Sequence, residues 1–493
     1  MKSFPSPWYF TKESGTERII ARLPLRASPV PVPPRAYLPD LLLAGGELRA
    51  GAALTVRDGA VVAVGEPPPE AELVRLPRRL LLPGLVSAHG HSFQRAIRGR
   101  TERRGAGRED FWSWRAAMYA AANRLGPDDL EAVARMAFHE LARAGVTAVG
   151  EFHYLHRDPH GRPYAEPAEL ALRVVRAARD VGLRVVLLRA AYARAGHGLP
   201  ADPLQRRFVE PSVDAYLAGL DELASALQGD PLATVGVAPH SVRACPEPWL
   251  AALAAEARRR RLPLHVHAAE QPAEVEACRA EHGLSPVALL ARAGALHPGA
   301  TLVHAIQLDD ADVRAIGAAG ATVCACPLTE RNLGDGVVPA DRLVAAGARL
   351  ALGADSLAEV DLLGEARALE LQLRLVRGER NVLDDPPGTL AARLLGAATS
   401  GGMRALGRRG GTLAPGEPAD FVAVDLDDPS IAGAAPEALL PTVVFALART
   451  AIREVHVAGE AVIADGAAAP GRVPAERILA DFRAAMGRLW GAA

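Results

Sequence analysis

Between Asp40 and Leu82, short alternating or apolar pieces separated by glycine turns, DLLLAGGELRAGAALTVRDGAVVAVGE, predict a β-meander. The same style returns near the C-terminus in GGTLAPGEPADFVAVDLDD and TVVFALARTAIREVHVAGEAVIADG, so the two ends are expected to form one small β-domain. In between, apolar strand-like runs alternate with segments such as DDLEAVARMAFHELARAG and PEPWLAALAAEARRRR, whose apolar residues recur at helical spacing. Alternating β and α predicts a parallel sheet. Candidate strands end near His91, His153, Ala191, His240, His267, His304, Pro327 and Asp355, the number that a closed (β/α)8 barrel requires. An open doubly wound sheet is the competing layout, but it gives no reason for metal-type residues on its first, fifth, sixth and eighth strands to converge.

The expected organisation is therefore a leader over 1–35, a first β-sandwich part over 36–82, a metal-dependent (β/α)8 barrel over 83–400, and a second sandwich part with a C-terminal helix over 401–493. The leader is expected to be extended, because the prolines of SPVPVPPRAYLP deny both helix and central strand.

Composition narrows the chemistry. A formal net charge of -1 argues against nucleic acid and an anionic membrane as partners. The only lysines are Lys2 and Lys12, so no carboxylated lysine is available at a barrel strand end to bridge two metals, and a mononuclear site is favoured. Cys245, Cys278, Cys324 and Cys326 show no C-x-x-C spacing and fit a reducing compartment. No apolar run approaches the roughly 18 residues of a bilayer span and no signal-peptide core is seen, so a cytoplasmic location is expected. No glycine-rich phosphate motif follows a strand, which disfavours a nucleotide cofactor.

His89 and His91 stand two apart after the apolar run LLPGLVSA, and on a strand both imidazoles face one side and can reach one ion. Further candidates close later apolar segments: His267 in PLHVHAAE, His304 in ATLVHA and Asp355 in RLALGADS. Imidazole and carboxylate donors with one position left for water describe a catalytic divalent site, and zinc suits it best. The proposed ligands are His89, His91, His267 and Asp355. His265 alternates with His267 and remains an alternative to it. Glu270, three residues after His267, is the candidate general acid/base, and His304 the candidate for orienting an attacking water.

Taken together, HGHSFQR, APHSVR, HVHAAEQ, LVHA, CPLTERNLGDG and GADS resemble the amidohydrolase superfamily in its mononuclear-metal deaminase branch. FQRAIRGR, FWSWRAAMY, EFHYLHRDPHG and NLGDG are similar to the formimidoylglutamate deiminase group within it. The resemblance implies a distorted (β/α)8 barrel with a small β-sandwich from both termini, zinc, and a homodimer. It also implies deimination of N-formimino-L-glutamate to N-formyl-L-glutamate and ammonia in histidine degradation. By motif it assigns metal binding to His89, His91, His267 and Asp355, proton handling to Glu270, His304 and Asp355, and makes His265 a non-ligand. It places Gln94, Arg115, Tyr154, His240 and Arg243 around the glutamate portion of the substrate. Two stretches depart from the family pattern: HGHS stands where HSHA is commoner, and DSLAEVDLL where a polar residue commonly follows the aspartate. The runner-up activity is deamination of a purine, pyrimidine or triazine ring, with Trp112 and Trp114 as stacking surfaces; a non-catalytic barrel scaffold is the third reading.

Overall fold

The computed structural model describes residues 33–491 apart from 106 and 108, so the expected leader lies outside the described residues except at its end. Eight parallel strands form the central sheet: β1 Leu85–Gly90, β2 Val146–His153, β3 Arg184–Ala191, β4 Ala233–Pro239, β5 Leu264–Ala268, β6 Ala300–His304, β7 Thr322–Ala325 and β8 Arg349–Leu352. Each pairs with the next in chain order. The circle nearly closes through a parallel bridge between Gly90 and Asp355, with Asp355 N–H donating to His89 O at 3.1 Å. Helices between the strands cover the outside, giving the expected barrel. Every predicted strand end falls within three residues of an observed one because each apolar run stops where the chain leaves the core.

Close packing dictates Gly353 at the closure. A Cβ there would lie 2.7 Å from His89 O and 2.9 Å from His89 Cβ, too close for any other residue.

Segments from both ends of the described chain build a second, nine-stranded mixed sheet. At its centre Glu72–Pro83 pairs in parallel with Arg35–Ala44 on one side and antiparallel with Phe421–Asp425 on the other. The two halves share a core in which Leu54, Val56 and Val61 meet Leu413, Ala419 and Phe421. Tyr37 packs edge-on against Phe421, and its hydroxyl donates to Gly459 O at 3.0 Å.

A buried ion pair ties this sheet to the barrel. Arg184, which opens β3, meets Asp420 through Nε–Oδ2 at 3.0 Å and Nη2–Oδ1 at 3.1 Å, and Asp420 Oδ1 also accepts from Ala458 N–H. Asp420→Ala would leave a buried guanidinium unpaired, with an expected cost of about 3–5 kcal/mol in chemical denaturation. A loss below about 1 kcal/mol would show that the pair is dispensable.

Candidate active site

The C-terminal ends of the barrel strands bring the sequence-predicted residues to one place. His91, Gln94, Arg115, Tyr154, His240, Arg243, His267, Glu270, His304 and Asp355 all line one cavity with an empty volume of about 510 Å³, partly open to solvent. His89 lies fully buried beneath it.

Donor atoms of His89, His91 and His267 lie within 4.8 Å of one another. Asp355 Oδ1 is 3.4 Å from Nε2 of both His89 and His91. The Nδ1 atoms of His91 and His267 contact the carbonyls of Phe152 at 2.8 Å and His240 at 2.9 Å. Since a carbonyl only accepts, each Nδ1 carries the proton and each Nε2 lone pair is free. Burial pushes His89 down to about 3 and lowers His91 and His267 as well, so all three are neutral imidazoles. Neutral, pre-oriented donors beside a carboxylate fit a divalent ion.

His265 is turned elsewhere: its Nε2 meets Ala405 O at 2.7 Å. His267, by contrast, places its Nε2 beside that of His89 at 3.2 Å. Another group, His197, Glu281 and His282, also places donor atoms within 4.8 Å. There, however, Arg194 donates to Glu281 Oε1 at 2.8 Å and contacts His197 Nδ1 at 3.2 Å, so a guanidinium already supplies the cation.

Carboxylates dominate the other side of the cavity. Burial pushes Glu270 up to about 7, although His304 and Arg243 pull the other way. His304 is buried, which disfavours its charge, but Glu270, Glu330 and Asp355 raise it well above an ordinary imidazole. Its Nε2 is 3.7 Å from Glu270 Oε1 and 3.8 Å from Asp355 Oδ2, and its Nδ1 is 3.2 Å from Glu330 Oε1. Burial raises Asp355 too, yet hydrogen bonding from His89 and the charge of His304 hold it well below the usual carboxylate range. Both His304 (φ +71°) and Asp355 (φ +41°) adopt the left-handed region, a strain seen where side chains must be aimed.

Sequence reasoning did not single out Glu330, which fixes His304 and accepts from Cys326 N–H at 2.8 Å. Its signal was an acid three residues into the helix Pro327–Leu333, inside the quoted CPLTE. Asp335, bonded by Gln271 and pushed up to about 8 by burial and the neighbouring Glu270, was also missed.

Arg115 and Arg243, which also line the cavity, lie against aromatic rings. The Arg115 guanidinium sits 4.5 Å from the Trp112 ring centre, and that of Arg243 is 5.9 Å from Phe111. Arg115 Nη1 and Arg243 Nε and Nη1 are buried without hydrogen-bond partners among the described residues. Trp112 is about one-third exposed at 36%, whereas Trp114 reaches the cavity.

Residues 80–462 match the model of the amidohydrolase family. The chain belongs to this family. Formimidoylglutamate deiminase of Pseudomonas aeruginosa is 42% identical over 389 residues, covering 78% of this chain and 85% of that protein. An amidohydrolase of Brucella melitensis has a crystal structure that superposes with a TM-score of 0.85 at 32% identity, covering 92% of this chain and 99% of that one. An adenosine deaminase of Xanthomonas campestris, crystallised with bound zinc, superposes with a TM-score of 0.78 at 24% identity over 94% of this chain and 100% of its own, a likeness of fold. No helix among the described residues is long and apolar enough to cross a membrane.

Proposed function

We propose that this amidohydrolase cleaves the terminal formimino carbon–nitrogen bond of N-formimino-L-glutamate, releasing N-formyl-L-glutamate and ammonia in histidine degradation, as a cytoplasmic homodimer. One observation carries the substrate: the unpartnered guanidinium N–H groups of Arg115 and Arg243, buried in the cavity that also holds the histidine cluster. Buried donors require acceptors, and a forked guanidinium suits a carboxylate. A substrate with carboxylates at one end and an amidine at the other would satisfy the arginines while presenting its amidine to Glu270 and Asp355. The 42% identity to a formimidoylglutamate deiminase supports the same reading.

His89, His91, His267 and Asp355 would hold one divalent ion, with zinc favoured by their imidazole and carboxylate donors. When bound, such an ion supplies Lewis acidity toward water and substrate. Asp355, held ionised, accepts a proton from the attacking water, while His304, which keeps its own proton beside Glu270, Glu330 and Asp355, orients that water and stabilises its developing charge. As the water oxygen bonds to the formimino carbon, Glu270 delivers a proton to the terminal nitrogen. The proton taken by Asp355 then passes to the same nitrogen, the tetrahedral carbon collapses as its remaining hydroxyl proton goes to Glu270, and ammonia leaves as the carbonyl forms, returning both carboxyls to their starting states. Gln94, held at 3.0 Å to Tyr154 Oη, and His240 complete the substrate-facing wall.

The direct test is ammonia release by metal-analysed protein supplied with N-formimino-L-glutamate, with guanine, cytosine and formiminoglycine in parallel. Selective turnover of the glutamate compound is expected; turnover of a nucleobase instead would replace the substrate and keep the metal chemistry. Arg243→Ala should raise KM by roughly 100-fold with a smaller change in kcat, the scale of a lost charged hydrogen-bond pair. An unchanged KM would remove Arg243 from substrate binding.

A further inference from the structure

Gln205, buried in the loop after β3, has its amide orientation fixed by the backbone, because its Oε1 accepts from Asp202 N–H at 3.0 Å. Its Nε2 faces the other way and donates to the hydroxyls of Tyr119 at 2.9 Å and Tyr192 at 3.0 Å. Both amide hydrogens are then used. The two hydroxyl oxygens lie 3.3 Å apart, so one hydroxyl can donate to the other. The hydrogen of the second hydroxyl has no acceptor among the described residues.

Both residues line the cavity, so that unspent hydrogen, with no acceptor among the described residues, is available to a group bound there. Since each oxygen already accepts from Gln205, the pair presents a donor to the cavity. Its neighbours are cationic: the Arg115 guanidinium lies 5.5 Å from the Tyr119 ring centre, and Arg243 lines the same wall. Burial keeps Tyr192 protonated, raising it well above an ordinary phenol. The surroundings therefore select an anionic acceptor.

We infer that Tyr119 and Tyr192, oriented by Gln205, are specificity-determining residues that supply one hydroxyl hydrogen bond to a substrate carboxylate beside Arg115 and Arg243. This rests on the dicarboxylate reading of the preceding subsection.

The pairing carries its own redundancy. In Tyr119→Phe the Tyr192 hydrogen loses the oxygen it could have bonded and turns to the substrate; in Tyr192→Phe the roles exchange. Each single variant retains one donor, and only the double variant has none. Phenylalanine also preserves the ring packing of both positions against Phe208.

The test is calorimetric titration of glutarate into metal-loaded protein, alongside steady-state kinetics. Single variants are expected to raise the glutarate Kd and the KM by about 3-fold or less, and the double variant by roughly 10- to 100-fold, with kcat within about 3-fold throughout. Two single effects that multiply to the double would instead mark independent packing contributions and overturn the inference. So would a double variant that binds glutarate as well as the native protein, or a native protein that binds none. Loss of glutarate binding in the double variant, from a native protein that fails to turn over N-formimino-L-glutamate, would remove that substrate and leave the carboxylate site standing.

Discussion

Glu270→Gln is expected to keep metal content and substrate affinity near native and to lower kcat by about 10³-fold, inside the range of a positioned proton donor. The substitution preserves shape. Glu270 N–H still donates to Glu274 at 3.1 Å, and the new amide sits where burial already disfavours a charge. What disappears is the ability to exchange a proton near neutrality, and so to convert the terminal nitrogen into a leaving group. Glu270 stands at about 7. As an acid it must carry its proton, so native kcat/KM should fall as pH rises through that region, and the variant's residual activity should lack that limb. Ammonia release against pH with parallel metal analysis checks both. Native turnover in the variant would take Glu270 out of the mechanism.

Much of the barrel and its inner histidines could be read from the sequence because both depend on local pattern. An apolar run ends where a strand leaves the core, and His89 and His91 face one side through strand alternation alone. Alternation does not separate His265 from His267, because the same rule treats them alike; what turns His265 aside is the carbonyl of Ala405, 140 positions away. Glu330 and Asp335 escaped notice for a related reason. Their importance comes from burial against His304 and Glu270; Glu330, near a helix start, otherwise reads as a cap, and Asp335 as a polar turn residue just past the end of the same helix. Gln205 was least legible: it reaches Tyr119 across 86 positions and Tyr192 across 13, through a loop with no periodic signal.

Asp355→Asn should reduce bound metal well below one ion per chain at chelator-buffered concentrations and lower turnover by at least about 10²-fold, more than the loss of an outer-shell partner commonly costs. Asp355 serves two groups of residues at once. Its Oδ1 faces His89 and His91, each at 3.4 Å, while its Oδ2 faces His304 at 3.8 Å. An amide keeps one oxygen but loses the negative charge, and turns an N–H donor toward imidazoles whose Nε2 lone pairs must stay free. Backbone damage is not expected to contribute, because asparagine tolerates the left-handed conformation at φ +41° better than most residues. The amide N–H that bonds His89 O and the carbonyl that accepts from His91 N–H at 3.0 Å are also unchanged. The metal-free variant should therefore unfold within a few degrees of the metal-free native protein, on the scale of about 1 kcal/mol or less, separating a chemical defect from a folding one. Full activity at native metal content would show that the carboxylate charge at this strand end is needed for neither binding nor proton transfer.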